Sequence, residues 1–170
     1  MEEWVDYMII VLFAGWLLQS VYRQVQKIFG DHDVTVPGHG QWIPTAPYTH
    51  IVRETIGFCG GILHESGIRH FPSFTIRYYR HKKNAGVFNG EVVIYLKSNA
   101  DMEFLVNTTL HEVRHYMQSV TDKQYKKYDD LTRDYGYWNN PLEVDARSFA
   151  DRYTRDALKH LESKQLIIRR

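Results

Sequence analysis

The sequence lacks the features that mark several protein classes. It has one cysteine, Cys59, in 170 residues, so an internal disulfide is excluded. This fits either a reducing compartment or a fold that does not depend on the redox environment. With 21 Lys and Arg against 20 Asp and Glu, the formal charge is +1, which gives no broad basic surface for nucleic acid. A content of 44% hydrophobic and 14% aromatic residues suits a single domain spanning residues 1–170.

The sequence also has no apolar run long enough to cross a membrane. The run at residues 7–18 falls well short of the roughly 20 apolar residues that a spanning helix needs. Glu2 and Glu3 stand where a secretory signal peptide would be basic. We therefore predict that residues 1–29 form an apolar helix of the core and that the protein is cytoplasmic. Membrane association through residues 4–22, or a place in a virion, is the alternative.

One short motif predicts a metal site. Residues 111–115 read His-Glu-x-x-His in a segment with helical periodicity. His111 and His115 are four residues apart on one helical face, where both can bind the same ion. Glu112 lies about 100° around the helix, where it can reach a water on that ion. The motif therefore predicts zinc, with Glu112 as a general base.

The apolar residues of the motif helix gather on the side opposite the two histidines. They are Val106, Leu110, Val113, Met117 and Val120. This pattern predicts a helix whose histidines face away from the core. A solvated surface helix with histidines placed by chance is the alternative, and a third metal ligand would decide between the two.

A second predicted helix offers that third ligand. Asn140 is a suitable N-cap and Pro141 suits the first helical position. Glu143 lies at the edge of the apolar stripe and is the favoured ligand, although capping-box spacing to Asn140 is its structural alternative. Asp145 is the fallback ligand, or a group that orients a histidine. The stripe comprises Leu142, Ala146, Phe149, Ala150, Tyr153, Ala157 and Leu161.

Together the two segments resemble the gluzincin-type metallopeptidases, and within them the ImmA/IrrE-like branch. The resemblance rests on residues 111–115 and on Glu-x-Asp-Ala-x-x-Phe-Ala at residues 143–150, and it covers about residues 98–157. Members of that branch are often encoded by phages and mobile elements, and some cleave regulatory repressor proteins. The roles that the resemblance implies are zinc ligands for His111, His115 and Glu143 and general base for Glu112.

The remaining pattern predicts an α+β fold. Residues 48–66 suggest a helix, and residues 74–79 and 91–96 suggest two strands joined as a hairpin. Ser98 and Asp101 have capping-box spacing just before the motif helix. We expect a minimal zincin-like fold with N-terminal helices, a small antiparallel sheet or hairpin, the motif helix and a C-terminal helix carrying the third ligand. In zincin-like folds, which this order resembles, the edge strand pairs with an extended peptide substrate.

The expected activity is zinc-dependent hydrolysis of peptide bonds in a protein or peptide substrate. Zinc lowers the pKa of its water from about 15.7 toward ~7, and Glu112 would accept the released proton. A tyrosine between the two ligand-bearing helices, at 128, 135 or 137, would donate a hydrogen bond to the developing oxyanion. The residues leave open the choice among Tyr128, Tyr135 and Tyr137.

A non-catalytic protein is the alternative function. In that case the chain is a zincin-like scaffold or structural protein, viral or membrane-associated, that binds a metal or a partner. A structural zinc site is closed by a fourth protein ligand, whereas a catalytic site keeps one position open. His39, Cys59 and His64 are the candidates for a fourth ligand.

Overall fold

The computed structural model describes residues 42–82, 84–99 and 101–170. The predicted apolar helix at residues 1–29, with its membrane alternative at 4–22, lies outside the described residues. Within them, no helix is both long and apolar enough to cross a bilayer. In chain order the elements are β1 (Trp42–Pro44), α1 (Tyr48–Phe58), α2 (Gly60–Glu65), β2 (Phe74–Arg77), β3 (Gly86–Phe88), β4 (Val92–Tyr95), α3 (Met102–Thr121), α4 (Tyr128–Tyr135), α5 (Pro141–Ser163) and β5 (Ile167–Arg169).

The predicted α+β fold is confirmed, and its centre is the packing of α3 against α5, with α1 touching both. Helix periodicity explains this packing because each helix presents one apolar stripe to the others. Val120 is the exception to the predicted stripe of α3, since its side chain is 57% exposed in the last turn. Fully buried aliphatic residues at the centre include Ile51, Val52, Leu105, Val106, Leu110, Val113 and Leu161.

The two helices that carry the motif residues begin at side-chain caps. The Asn140 Oδ1 atom accepts the N–H of Leu142 at 3.0 Å, and Pro141 follows in the first turn, so the predicted start of α5 is confirmed. In α3 the cap is Asp101, whose Oδ1 accepts the N–H of Phe104 at 2.8 Å. The predicted capping box is wrong because Ser98 belongs to a separate 3-10 helix, Leu96–Ser98.

The larger sheet corrects the predicted hairpin. Its strand order is β2-β4-β3, with β2 parallel to β4 and β3 antiparallel to β4. The two predicted strands are therefore parallel neighbours, and the antiparallel partner of β4 is the short strand β3. The connection from β2 leads into β3 before the chain returns as β4, which leaves β2 and β4 running in the same direction.

The predicted helix over residues 48–66 is divided in two. The N–H of Cys59 bonds to the carbonyl of Ile56 at the end of α1, and α2 then begins at Gly60. Cys59 is fully buried in the apolar core, and burial raises the pKa of its thiol to about 12.

A second, two-stranded sheet pairs β1 with β5 in antiparallel register, with Ile43 opposite Ile168.

Candidate metal centre

Two histidines of α3 and one glutamate of α5 converge at the α3–α5 contact. The Nε2 atoms of His111 and His115 lie 3.0 Å apart. The Glu143 carboxylate reaches both, with Oε2 at 3.3 Å from His111 Nε2 and Oε1 at 3.1 Å from His115 Nε2. Among the described residues, these three form the group of His, Cys, Asp and Glu side chains placed to hold a metal ion.

The donor atoms fit a tetrahedral ion in both spacing and chemistry. Ligand atoms about 2.0–2.1 Å from one ion at tetrahedral angles are about 3.3 Å apart. Here the two Nε2 atoms are 3.0 Å apart, each lies 3.1 or 3.3 Å from a different oxygen of Glu143, and one ligand atom from each residue lies within 4.8 Å of the others. The buried Glu143 Oε2 atom has no hydrogen bond of good geometry in the described part of the chain, and its charged neighbours are His111 Nε2 at 3.3 Å and Arg147 Nη1 at 3.8 Å. A buried carboxylate oxygen without a well-formed hydrogen bond is costly, and a bound cation would reduce that cost. Two imidazoles and one carboxylate are a ligand set that catalytic zinc uses.

Charges around the group favour a cation there. Burial alone would raise the pKa of Glu143, but hydrogen bonds with His111, His115 and Tyr128 outweigh it and hold that pKa far below its ordinary value. Burial lowers the pKa of His115, but its contacts with Glu143 and the charge on Glu112 produce a net increase. Glu143 is therefore held in its carboxylate form, which is the form that binds a cation.

Asp145 lies outside the group and supports it indirectly. Its carboxylate accepts the Nε–H of Arg114 at 2.7 Å and the amide of Gln118 at 2.7 Å. The Gln118 Oε1 atom in turn lies 2.8 Å from His115 Nδ1. The hydrogen bonds from Asp145 to Gln118 and from Gln118 to His115 hold the imidazole ring with Nε2 pointing into the cluster. Carboxylates commonly orient metal-binding histidines from outside the ligand set. The geometry thus places the carboxylate of Glu143, and not that of Asp145, beside the two histidines.

The helix-cap alternative for Glu143 finds no support in the contacts of its side chain. That carboxylate points to the two histidines and to Tyr128. The backbone N–H of Asn140, which a capping box would satisfy, bonds instead to the carbonyl of Gly136 at 2.9 Å.

Glu112 is buried beside the cluster and faces β3. Burial raises the pKa of its carboxyl to about 7, the Glu143 charge adds to the increase, and His111 and His115 oppose it. The backbone N–H of Phe88 in β3 donates a hydrogen bond to this carboxylate. A base with a pKa near neutrality can both accept and release a proton under ordinary conditions.

Gly86 allows β3 to approach the motif helix closely. A Cβ atom at this position would lie 2.7 Å from Thr108 Cγ2 and 2.8 Å from Glu112 Cγ. Any larger residue would push the strand away from Glu112. The predicted hairpin leaves Gly86 in the connection between its two strands, whereas the structure places it in the edge strand β3, against the predicted base.

The three tyrosines predicted as oxyanion donors have different positions. The Tyr128 hydroxyl donates to Glu143 Oε1 at 2.5 Å. The Tyr137 hydroxyl also lies near the Glu143 carboxylate. Burial, the Glu143 charge and a hydrogen bond with Glu143 raise the pKa of Tyr137. Tyr135 is 56% exposed at the end of α4. Tyr128 is thus engaged with the candidate ligand and Tyr135 points to solvent.

Sequence reasoning missed Tyr125. Its ring lies between β3 and the cluster, with its centroid 6.1 Å from that of Phe88 and 6.3 Å from that of His115. Burial and the charges on Glu112 and Glu143 raise its pKa to about 12. Across residues 42–82, 84–99 and 101–170, we find no hydrogen-bond partner for the Tyr125 hydroxyl. Only its position three residues after the Asp122 cap, in the 3-10 helix Lys123–Lys127, could have suggested it.

Comparison with known proteins yields one similarity. Residues 77–160 match the family described as Protein of unknown function (DUF3920). No curated protein and no solved structure matches the chain. The matched stretch contains β3, the motif helix and Glu143, so the whole candidate site lies within it.

The two candidates for a fourth protein ligand that the structure describes, Cys59 and His64, do not join the cluster. Cys59 lies in the core and donates its thiol to the carbonyl of Thr55. His64 is exposed in α2. His39 lies outside the described residues. Within the described chain, the group therefore offers three candidate ligands, and a tetrahedral ion bound by them would keep one position for water or substrate.

Proposed function

We propose that the protein is a zinc-dependent peptidase. The observation that supports this best is the convergence of His111, His115 and Glu143, with the buried Glu112 at the same place. Three protein ligands and a neighbouring base are the composition of a catalytic site, whereas a structural zinc needs four ligands and no base. The non-catalytic scaffold has no comparable support from the described residues.

Each residue has a distinct task in the proposed reaction. A zinc ion, when bound, supplies a water of lowered pKa and polarises the scissile carbonyl. Glu112 takes the proton of that water and delivers it to the nitrogen of the departing amine. The backbone N–H of Phe88 and the close approach of β3 at Gly86 hold the Glu112 carboxylate in place.

The surrounding polar groups orient the ligands. The Tyr128 hydroxyl fixes one oxygen of Glu143, which leaves the other oxygen directed at the ion site. Gln118 and Asp145 hold His115 through its Nδ1 atom. Such orienting groups matter because their loss costs about 10- to 100-fold in metal affinity or activity.

Metal content measured by mass spectrometry on purified protein tests this proposal. We expect about one zinc per chain in the wild-type protein and its loss in Glu143→Ala. Asp145→Ala is the comparison variant, because it removes a carboxylate two residues away that orients His115 through Gln118. We expect its zinc affinity to fall by about 10- to 100-fold, with zinc still bound when the metal is in excess. Zinc retained by Glu143→Ala and lost from Asp145→Ala would assign the third ligand to Asp145. Wild-type protein that binds no supplied zinc would contradict the proposal.

Tyr125→Phe tests the donor to the developing oxyanion. Because the Tyr125 hydroxyl is near Glu112 and Glu143 and lacks a described partner, we expect it to donate to the substrate oxygen. Loss of one such donor lowers kcat by about 10²–10³-fold. Peptide hydrolysis should fall by that factor in Tyr125→Phe with zinc content and KM unchanged, whereas Tyr135→Phe should behave as wild type. If the kcat of Tyr125→Phe equals that of Tyr135→Phe, Tyr125 does not donate to the oxyanion.

A further inference from the structure

The stretch that forms the larger sheet is unusually basic. Residues 66–90 contain five Lys and Arg and no Asp or Glu, which gives +5 in a chain whose total is +1. Three of these cations, Arg77, Arg80 and Lys82, are exposed in and just after the end of β2. None of the three forms an ion pair with another residue in the described part of the chain. We call residues 77–82 the basic turn.

The basic turn is held against the end of the sheet. The His81 ring stacks on Tyr95 at 4.5 Å between centroids, and the backbone N–H of His81 donates to Ser98 Oγ at 2.9 Å. Tyr79 packs on the same Tyr95 ring at 5.5 Å. Because these contacts anchor both the middle and the start of the turn, its cations have a defined location beside the C-terminal end of β4.

That location is next to the start of β3. Tyr95 donates its N–H to the carbonyl of Ala85, the residue immediately before β3. Gly86, the first residue of β3, is the position that contacts Glu112. β3 is an edge strand, and no described strand pairs with its other side. A peptide paired with that edge would therefore lie at Glu112 and extend past the basic turn.

We propose that the basic turn selects protein substrates that carry acidic residues on one side of the cleaved bond. This inference rests on the proposed peptidase function and names its substrate class. Backbone groups of the β3 edge would hold the extended chain without regard to sequence, and Arg77, Arg80 and Lys82 would supply the selection. A protein segment suits this surface better than nucleic acid does, because a sheet edge matches peptide N–H and C=O groups and the basic area is small.

Fluorescence anisotropy with three matched peptides tests the proposal. The peptides share one central sequence and differ in a flanking Glu-Glu-Glu, Gln-Gln-Gln or Lys-Lys-Lys. Binding is measured with Glu112→Gln protein, which is expected to leave the peptides intact, both with and without zinc. Three exposed charge pairs contribute modestly, so we expect the acidic peptide to bind about tenfold more tightly than the neutral one at low salt. The difference should shrink at high salt because the cations are exposed.

A charge-reversed variant locates the selection. Arg80→Glu with Lys82→Glu should abolish or invert the preference for the acidic peptide. Arg152→Glu with Arg155→Glu is the matched control, because it makes the same charge change more than two turns beyond Glu143 on α5. Equal binding of the three peptides, no binding of any, or an unchanged preference in the turn variant would overturn the proposal. Tighter binding of a single-stranded oligonucleotide that the turn variant loses would also overturn it.

These results separate the two proposals. If the protein prefers the acidic peptide but never takes up zinc, the result would support selection by the basic turn and contradict the proposed peptidase function. Zinc-dependent hydrolysis of a peptide mixture, with cleavage sites that show no acidic neighbours, would support the peptidase and contradict the selection by the basic turn.

Discussion

Glu112→Gln is expected to retain zinc and to lose peptide hydrolysis by about 10²–10⁴-fold, the usual contribution of a general base. The glutamine amide is close in size to the carboxylate, and its oxygen can still accept the Phe88 N–H. Packing against Gly86 and Thr108 is therefore preserved while the proton acceptor is removed. Single-turnover hydrolysis of a peptide mixture, followed by mass spectrometry, measures the loss.

The control for this variant is Glu103→Gln. Glu103 is exposed in the first turn of the same helix, so its replacement makes the same chemical change away from the cluster. We expect wild-type hydrolysis and wild-type zinc content from it. Full activity in Glu112→Gln with zinc retained would remove Glu112 from its role as base and would require another proton acceptor.

His115→Ala is expected to lose both zinc and hydrolysis. His115 is 5% exposed, and its ring contacts His111, Glu143 and Gln118, so the substitution removes a donor atom and leaves buried polar groups unpaired. Unpaired buried groups cost about 1–3 kcal/mol each, so the variant should also be less stable. Thermal unfolding with and without zinc measures both effects.

The zinc dependence of unfolding separates loss of binding from general destabilisation. A ligand at 100 times its Kd stabilises the folded protein by about 2.7 kcal/mol, so wild-type protein should unfold at a higher temperature when zinc is added. His115→Ala should show no such increase. His64→Ala, which alters an exposed histidine of α2, should respond to zinc as wild type does. A zinc response that persists in His115→Ala would contradict its role as a ligand.

The parts of the fold that depend on local spacing could be predicted from the sequence. Helical periodicity places His111 and His115 on one face whatever the rest of the chain does. The start of α5 follows from Asn140 and Pro141, which act on the backbone of their own helix. Even the choice between Glu143 and Asp145 had a local basis, because the apolar stripe of α5 runs beside Glu143.

The parts that depend on distant contacts could not be predicted in the same way. Whether β2 and β4 run parallel depends on the connection between them, which contains β3. β3 is only three residues long and begins with Gly86, so its sequence gives almost no sign of a strand. The Val120 side chain fits the helical stripe, but α3 continues past the core, so its last turn is exposed. Tyr125 lies near the cluster only because residues 123–139 fold back over it.

The buried position of Cys59 makes the chain suitable for site-directed labelling. Thiol reagents attack an exposed thiolate, and the single native thiol is both inaccessible and far from ionised, with its pKa raised to about 12. Cysteines introduced at the exposed Asn89 and Tyr135 could therefore carry a donor and an acceptor dye without prior removal of Cys59. Energy transfer between them would report, in solution, how the sheet end and α4 move when a peptide arrives.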